Sequence, residues 1–215
     1  MGEVKIRPGQ VEITPSRPPP AKKLTFEEFL AWCDEDTWAE WVDGEVEMLS
    51  PASFKHQNLS YFLLSILGFY VEAHDLGIVL SAPFLMRLPE LARGREPDII
   101  FISKERLGQI HETYLEGPAD LVVEITSPES LLRDRGEKFA EYEMAGVQEY
   151  WIIDPEGRRA DFYLLDEEGR YRREAPDKEG AFHSKVLPGF KLRVAWLWAE
   201  PLPTLVEVLR ELGVV

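Results

Sequence analysis

Two carboxylates stand in apolar surroundings. Glu124 interrupts the run Leu121-Val-Val-Glu-Ile125, which reads as a strand buried on both faces, where a charge must be paired, protonated or bound to a cation. Asp98 follows Pro97 and opens Ile99-Ile-Phe-Ile102, so it stands at the mouth of a second apolar strand. If the two strands are sheet neighbours, both acids converge on one point. Two hard oxygen ligands, completed by water and phosphate oxygens, suit Mg²⁺. Taken singly, each acid has a plainer account, Glu124 as an outward residue of a half-exposed strand and Asp98 as a turn residue.

Lys138 lies four residues after Asp134 and four before Tyr142, so the three share one helix face. A lysine aimed at the same point could offset charge on a pentacovalent phosphate or polarise an attacking water. The alternative is a surface pair with Asp134. Arg133 and Arg135 beside it, and Arg93 and Arg95 ahead of Asp98, supply local positive charge, which makes Arg135 a candidate for contacting an anionic substrate. His56, on a helix after an early hairpin, is a candidate for touching substrate or a metal-bound water, or else a solvated helix histidine.

The elements that must position these residues follow from pattern. Thr25 and Glu28 form a capping box for a short helix. Asp43-Gly44 between alternating segments marks a hairpin over 39–48. Ser53 caps a helix to about His74, with Phe54, Leu59, Phe62, Leu63, Ile66, Phe69 and Tyr70 on its apolar face and Gly77 as the stop. Strands are expected over 78–81, 84–88, 98–102 and 121–126. One helix should run from Ser127 or Ser130 to Gly146 through Leu131, Leu132, Phe139, Tyr142 and Met144. Strands 149–153, 160–165, 170–174 and 190–198 and a helix over 204–212 complete the chain. The pattern is mixed α/β, of the α+β type, with a mixed sheet flanked by helices. Residues 24–215 are expected to form one domain, behind a Pro-rich extended arm over residues 1–23.

Composition narrows the function. The 215 residues carry 24 Lys+Arg against 39 Asp+Glu, a net charge of −15, which excludes a general polyanion binder. Nucleic-acid contact would require a locally basic groove or bound cations. Hydrophobic residues at 45% exclude global disorder. The lone Cys33 excludes a disulfide framework and a Cys-based zinc ribbon, and reads as a small buried hydrophobe. No apolar run reaches the roughly 18–20 residues of a membrane span, and no signal-peptide pattern opens the chain, so the expected location is cytoplasmic. One Asn and four Gln beside 16 Pro give the bias of a heat-adapted chain. Tyr150, Trp151, Trp196 and Trp198 could stack on bases, but strand alternation makes them core or dimer-contact residues.

Four ordered blocks carry a resemblance: Arg95-Glu-Pro-Asp-Ile-Ile100; Ala119-Asp-Leu-Val-Val-Glu-Ile-Thr-Ser-Pro128; Arg133-Asp-Arg-Gly-Glu-Lys138 with Tyr142; and Gly146-Val-Gln-Glu-Tyr-Trp-Ile-Ile-Asp-Pro155. With the hairpin Glu40-Trp-Val-Asp-Gly-Glu45 and His56, they resemble the Uma-type family of putative restriction endonucleases, within the PD-(D/E)xK nuclease superfamily, over about residues 25–200. The resemblance implies a restriction-endonuclease-like core that cuts DNA with Mg²⁺ or Mn²⁺. Asp98 and Glu124 would be the paired metal-binding acids and Glu40 an additional N-terminal acid. Where the superfamily places its lysine, two residues after the second acid, this chain has Thr126, so the resemblance implies that Lys138 on the following helix takes that role.

The expectation is therefore an Mg²⁺-dependent DNA endonuclease, forming a homodimer or higher homo-oligomer. The acidic total supports an alternative, a catalytically silent nuclease-fold protein serving as a homo-oligomeric interaction module. A glycosidase using Glu124 as its acid would leave the lysine-bearing helix unexplained.

Overall fold

A computed structural model describes residues 4–7, 10–13, 18–34, 37–128 and 130–215. Most of the expected arm lies outside them; within it Val4–Arg7 (β1) and Gln10–Ile13 (β2) pair antiparallel. The capping box forms as its spacing demands, with Thr25 Oγ1 accepting from Glu28 N and Glu28 Oε2 from Thr25 N, and it starts α1, Phe26–Trp32. Ala39–Val42 (β3) and Glu45–Met48 (β4) form the hairpin, and positive φ at both Asp43 and Gly44 gives the turn a hand that matches strand twist. Ser53 caps α2, Phe54–Ala73. That helix buries Leu59, Phe62, Leu63, Ile66 and Tyr70 as its period demands, but Phe54 and Phe69 face outward, so its apolar stripe is narrower than composition suggests.

Next come Gly77–Ser81 (β5), Leu85–Leu88 (β6), Arg93–Arg95 (β7), Ile99–Ser103 (β8), Tyr114–Glu116 (β9) and Leu121–Ile125 (β10). The helix expected between Ser127 and Gly146 is two helices, α3 at Leu131–Arg135 and α4 at Glu137–Ala145, separated at Gly136, whose φ of −117° and ψ of −83° are non-helical. Leu132 and Met144 are exposed as a result. The last elements are Glu149–Asp154 (β11), Arg159–Leu165 (β12), Tyr171–Glu174 (β13), Ala181–His183 (β14), Lys191–Arg193 (β15) and α5, Leu205–Glu211. The strand expected over 190–198 is confined to β15, because Val194–Trp198 winds into a 3₁₀ turn.

Two sheets carry the architecture, not one. The larger runs β13-β12-β11-β10-β8-β5, and the smaller runs β4-β3-β7-β6-β9. One face of the larger sheet packs on α2 through Phe101, Val123, Ile125, Trp151 and Ile153. The other packs on α4 through Ile100, Val122, Tyr142, Tyr150 and Ile152. Tyr150 and Trp151 are fully buried, so they serve the core, not base stacking. Asp98 sits where the chain steps from β7 in one sheet to β8 in the other. Gly94 in β7 lets α1 pack closely on the smaller sheet, since a Cβ there would come within 2.9 Å of the Phe26 ring. No helix among the described residues is long and apolar enough to cross a membrane.

Candidate active site

β8 and β10 are antiparallel neighbours, and their register pairs Val123 with Ile99. The ladder therefore ends with Asp98 beside Glu124, the arrangement on which the two-carboxylate expectation depended. All five residues of β10 are buried, Glu124 among them. Asp98 is held from two sides: its Oδ2 accepts the Ile125 N–H at 2.6 Å, and its carboxylate lies 3.2 Å from Nε2 of His56, near the start of α2. The Nδ1 of His56 is buried without a partner.

Lys138 is buried and does not form a surface pair. Its Nζ lies 2.9 Å from Glu124 Oε1, 3.0 Å from Glu40 Oε1 on β3, and 3.8 Å from Asp134 Oδ1. Tyr142, one turn further along α4, donates its hydroxyl to Glu124 Oε1 at 2.9 Å. Removing that donor in Tyr142→Phe is expected to lower stability by about 1 kcal/mol, since a fully buried hydrogen bond is lost. Urea unfolding measures it, and an unchanged midpoint would mean that the hydroxyl contributes nothing.

Environment separates the two acids that share this amine. Burial alone would raise Glu40, but Lys138, Arg95, Arg133 and the Glu96 N–H outweigh it and hold the carboxyl down at about 2. Glu124 is pushed up to about 8, by burial first and then by the charges of Asp134, Asp98 and Glu40, against the pull of Lys138. Oppositely displaced acids in one site are a mark of acid–base or ligand chemistry.

Glu40, His56, Asp98, Glu124 and Lys138 all line one cavity of about 740 Å³, together with Trp38, Glu96, Thr126, Arg133 and Asp134. Arg135 does not line it. The turn of α3 carries its Nη1 to Asp161 instead, at 2.6 Å. Arg133 takes the inward place: its Nε is buried without a partner, and among the described residues its guanidinium forms no salt bridge. Arg95, expected only to supply local positive charge ahead of Asp98, is fully buried between Glu40 and α4, with Nη1 2.9 Å from Glu40 Oε2, Nε 2.8 Å from Glu141 Oε2 and Nη2 2.8 Å from Glu137 Oε1. The Cys33 thiol is pushed up to about 11 by burial and by Glu96 and Asp34, which makes it a poor nucleophile.

The geometry offers hard oxygen ligands, one buried amine and one unpaired guanidinium around a cavity, a set suited to an anionic substrate with a cation. A family model described as Uma2, putative restriction endonuclease, matches residues 26–195. Among solved structures, a putative nuclease belonging to DUF820 from Anabaena variabilis aligns at a TM-score of 0.69 with 17% identity, over 81% of this chain and 97% of that one. A search of curated proteins found no match.

Proposed function

The chain belongs to the Uma2 family of putative restriction endonucleases, and from that membership and the site geometry we propose that it is a DNA endonuclease that hydrolyses phosphodiester bonds with Mg²⁺ or Mn²⁺. The observation that carries this reading is the convergence of Asp98, Glu124 and Lys138 on one cavity, with the lysine amine 2.9 Å from Glu124.

The donor set fits a divalent cation of the Mg²⁺ type. Glu40, Glu124 and Asp134 surround a single lysine with Asp98 beside Glu124, Glu124 resists its charge, and Asp134 Oδ1 is buried without a hydrogen-bond partner. Among the described residues no three His, Cys, Asp or Glu side chains form a metal cage. Mg²⁺ does not require such a cage, because it keeps several waters and takes one or two carboxylates plus substrate phosphates. Asp98 and Glu124 would hold it. When bound, such a cation polarises the scissile phosphate and acidifies a water.

The remaining work falls to the chain's own groups. Lys138 orients the water or offsets charge on the phosphate in the transition state, while Tyr142 fixes the Glu124 oxygen that faces that amine. The Ile125 N–H and His56 aim the Asp98 carboxylate. Glu40 keeps Lys138 protonated and in place. Arg133, unpaired and facing the cavity, meets a phosphate oxygen, which suits its fork of donors.

A supercoiled-plasmid nicking assay tests this. Cleavage is expected with Mg²⁺ or Mn²⁺ and is expected to stop in EDTA. Arg133→Ala, from the same purification, should cut about tenfold more slowly, within the range of lost phosphate contacts. No cleavage of supercoiled, linear or single-stranded DNA with either metal would overturn the reading and favour the non-catalytic scaffold. Equal rates in wild type and variant would point to a contaminating nuclease.

A further inference from the structure

We infer that three arginines on the far side of α3 form a second phosphate subsite, which grips the nucleic-acid backbone where it leaves the cavity. The inference rests on the nuclease reading and goes beyond its catalytic groups.

Asp161 on β12 is fully buried, and three guanidiniums converge on it. Arg135 Nη1 lies 2.6 Å from Oδ2, Arg159 Nε 2.8 Å from Oδ2 with its Nη2 3.2 Å from Oδ1, and Arg173 Nη2 2.8 Å from Oδ1. One carboxylate is satisfied by one bidentate arginine. Here it gathers three, none of which has another carboxylate partner among the described residues, so the cluster keeps a charge of about +2 in a chain of net charge −15. The arginines are not spent on Asp161: the Arg159 and Arg173 side chains are 55% and 60% exposed, while Arg135 is more buried and anchors the group from α3. Asp161 acts as a post that holds three forks in place.

Position adds an independent argument. The sheet register pairs Glu124 with Ile152 and Ile152 with Asp161, so Glu124 and Asp161 lie in one row on one face, two strands apart. At the usual strand spacing this is about 10 Å, within reach of two or three nucleotides at roughly 3.4 Å rise per residue of one strand. α3 stands over this row, with Arg133 toward the cavity and Arg135 toward the cluster. Arg170 and Arg172 on the adjoining hairpin differ, since each is matched by its own acid, Glu143 and Asp166 respectively.

The test is fluorescence anisotropy with the full chain and a labelled 20-base-pair duplex or 20-nucleotide single strand, with Ca²⁺ in place of Mg²⁺ and salt varied. Arg159→Ala/Arg173→Ala is expected to weaken binding about tenfold and to lower the slope of log affinity against log salt by about one, the signature of one lost phosphate contact. Arg170→Ala/Arg172→Ala should match wild type. Arg173→Ala alone, which leaves Asp161 with two arginines, should show a smaller loss of the same kind and guards against misfolding of the double variant. If wild type binds neither DNA, the nuclease reading falls and this subsite with it. If wild type binds and the Arg159/Arg173 variants match it, or both double variants lose affinity equally, the subsite alone is overturned.

Discussion

Glu124→Gln is expected to cut DNA cleavage by at least about a hundredfold while leaving the protein as stable as wild type or more so. The two halves of this expectation come from one environment. The amide keeps an oxygen for Lys138 Nζ and the Tyr142 hydroxyl, both 2.9 Å from Glu124 Oε1. Its NH₂ replaces an oxygen that the neighbouring charges of Asp98 and Asp134 oppose. A buried carboxylate pushed up to about 8 loses little when it is exchanged for a neutral isostere. On the proposed reading the exchange would remove one of two anionic oxygen ligands for the cation, and catalysis through a bound metal depends on their number and placement. Asp98→Asn should lose activity comparably but without a gain in stability, because Asp98 accepts the Ile125 N–H at 2.6 Å and faces His56. The checks are single-turnover nicking rates and urea unfolding without metal. A Glu124→Gln protein that cuts at near wild-type rate would remove Glu124 from the chemistry. One that unfolds well below wild type would show that its charge stabilises the fold.

The pairing of Asp98 and Glu124 was legible in sequence because each breaks a local rule, a charge inside an apolar strand and a charge at the mouth of another. Lys138 was legible from its helical spacing to Asp134 and Tyr142, even though Gly136 breaks the helix between Asp134 and Lys138. That break was not legible, since Leu131, Leu132 and Phe139 keep an apolar rhythm across a point where backbone conformation, not hydropathy, decides. The stretch Arg93-Gly-Arg95-Glu96 reads as a charged loop. Its burial as β7 comes from pairing with β6 and β3 and from contact with α4, and the acids that hold the Arg95 guanidinium lie 42 and more residues away. A small part of the acidic excess that argued against nucleic acid belongs to these internal networks: Glu40, Glu124, Asp134, Glu141 and Asp161 are buried, with Arg95 and Lys138 buried among them. The charge that approaching DNA meets is thus less negative than the −15 of the whole chain suggests, and least negative over the arginines of α3 and β12.

Arg95→Met is expected to lower unfolding stability by about 3 kcal/mol, the cost of removing the cation that buried Glu40 and Glu141 share, since Lys138 and Arg93 stay beside them. Arg95 ties β7 to β3 and α4 by charge at once, reaching Glu40, Glu137 and Glu141 with different nitrogens of one guanidinium. Arg95→Lys should recover only part of this, because an ammonium cannot present the separated donors that those three acids require. Arg95 lies outside the residues lining the cavity, so a structural role alone would leave the cleavage rate of folded protein unchanged. The geometry argues otherwise: Glu40 is fixed by Arg95 through Oε2 while its Oε1 lies 3.0 Å from Lys138 Nζ. Loosening Arg95 therefore releases the carboxylate that aims the amine. Arg95→Lys, assayed at a temperature where circular dichroism shows it fully folded, is expected to cut about tenfold more slowly at saturating DNA, with little change in the DNA concentration giving half-maximal rate. A wild-type rate in that folded variant would confine Arg95 to stability and leave the placement of Lys138 to Glu124 and Asp134.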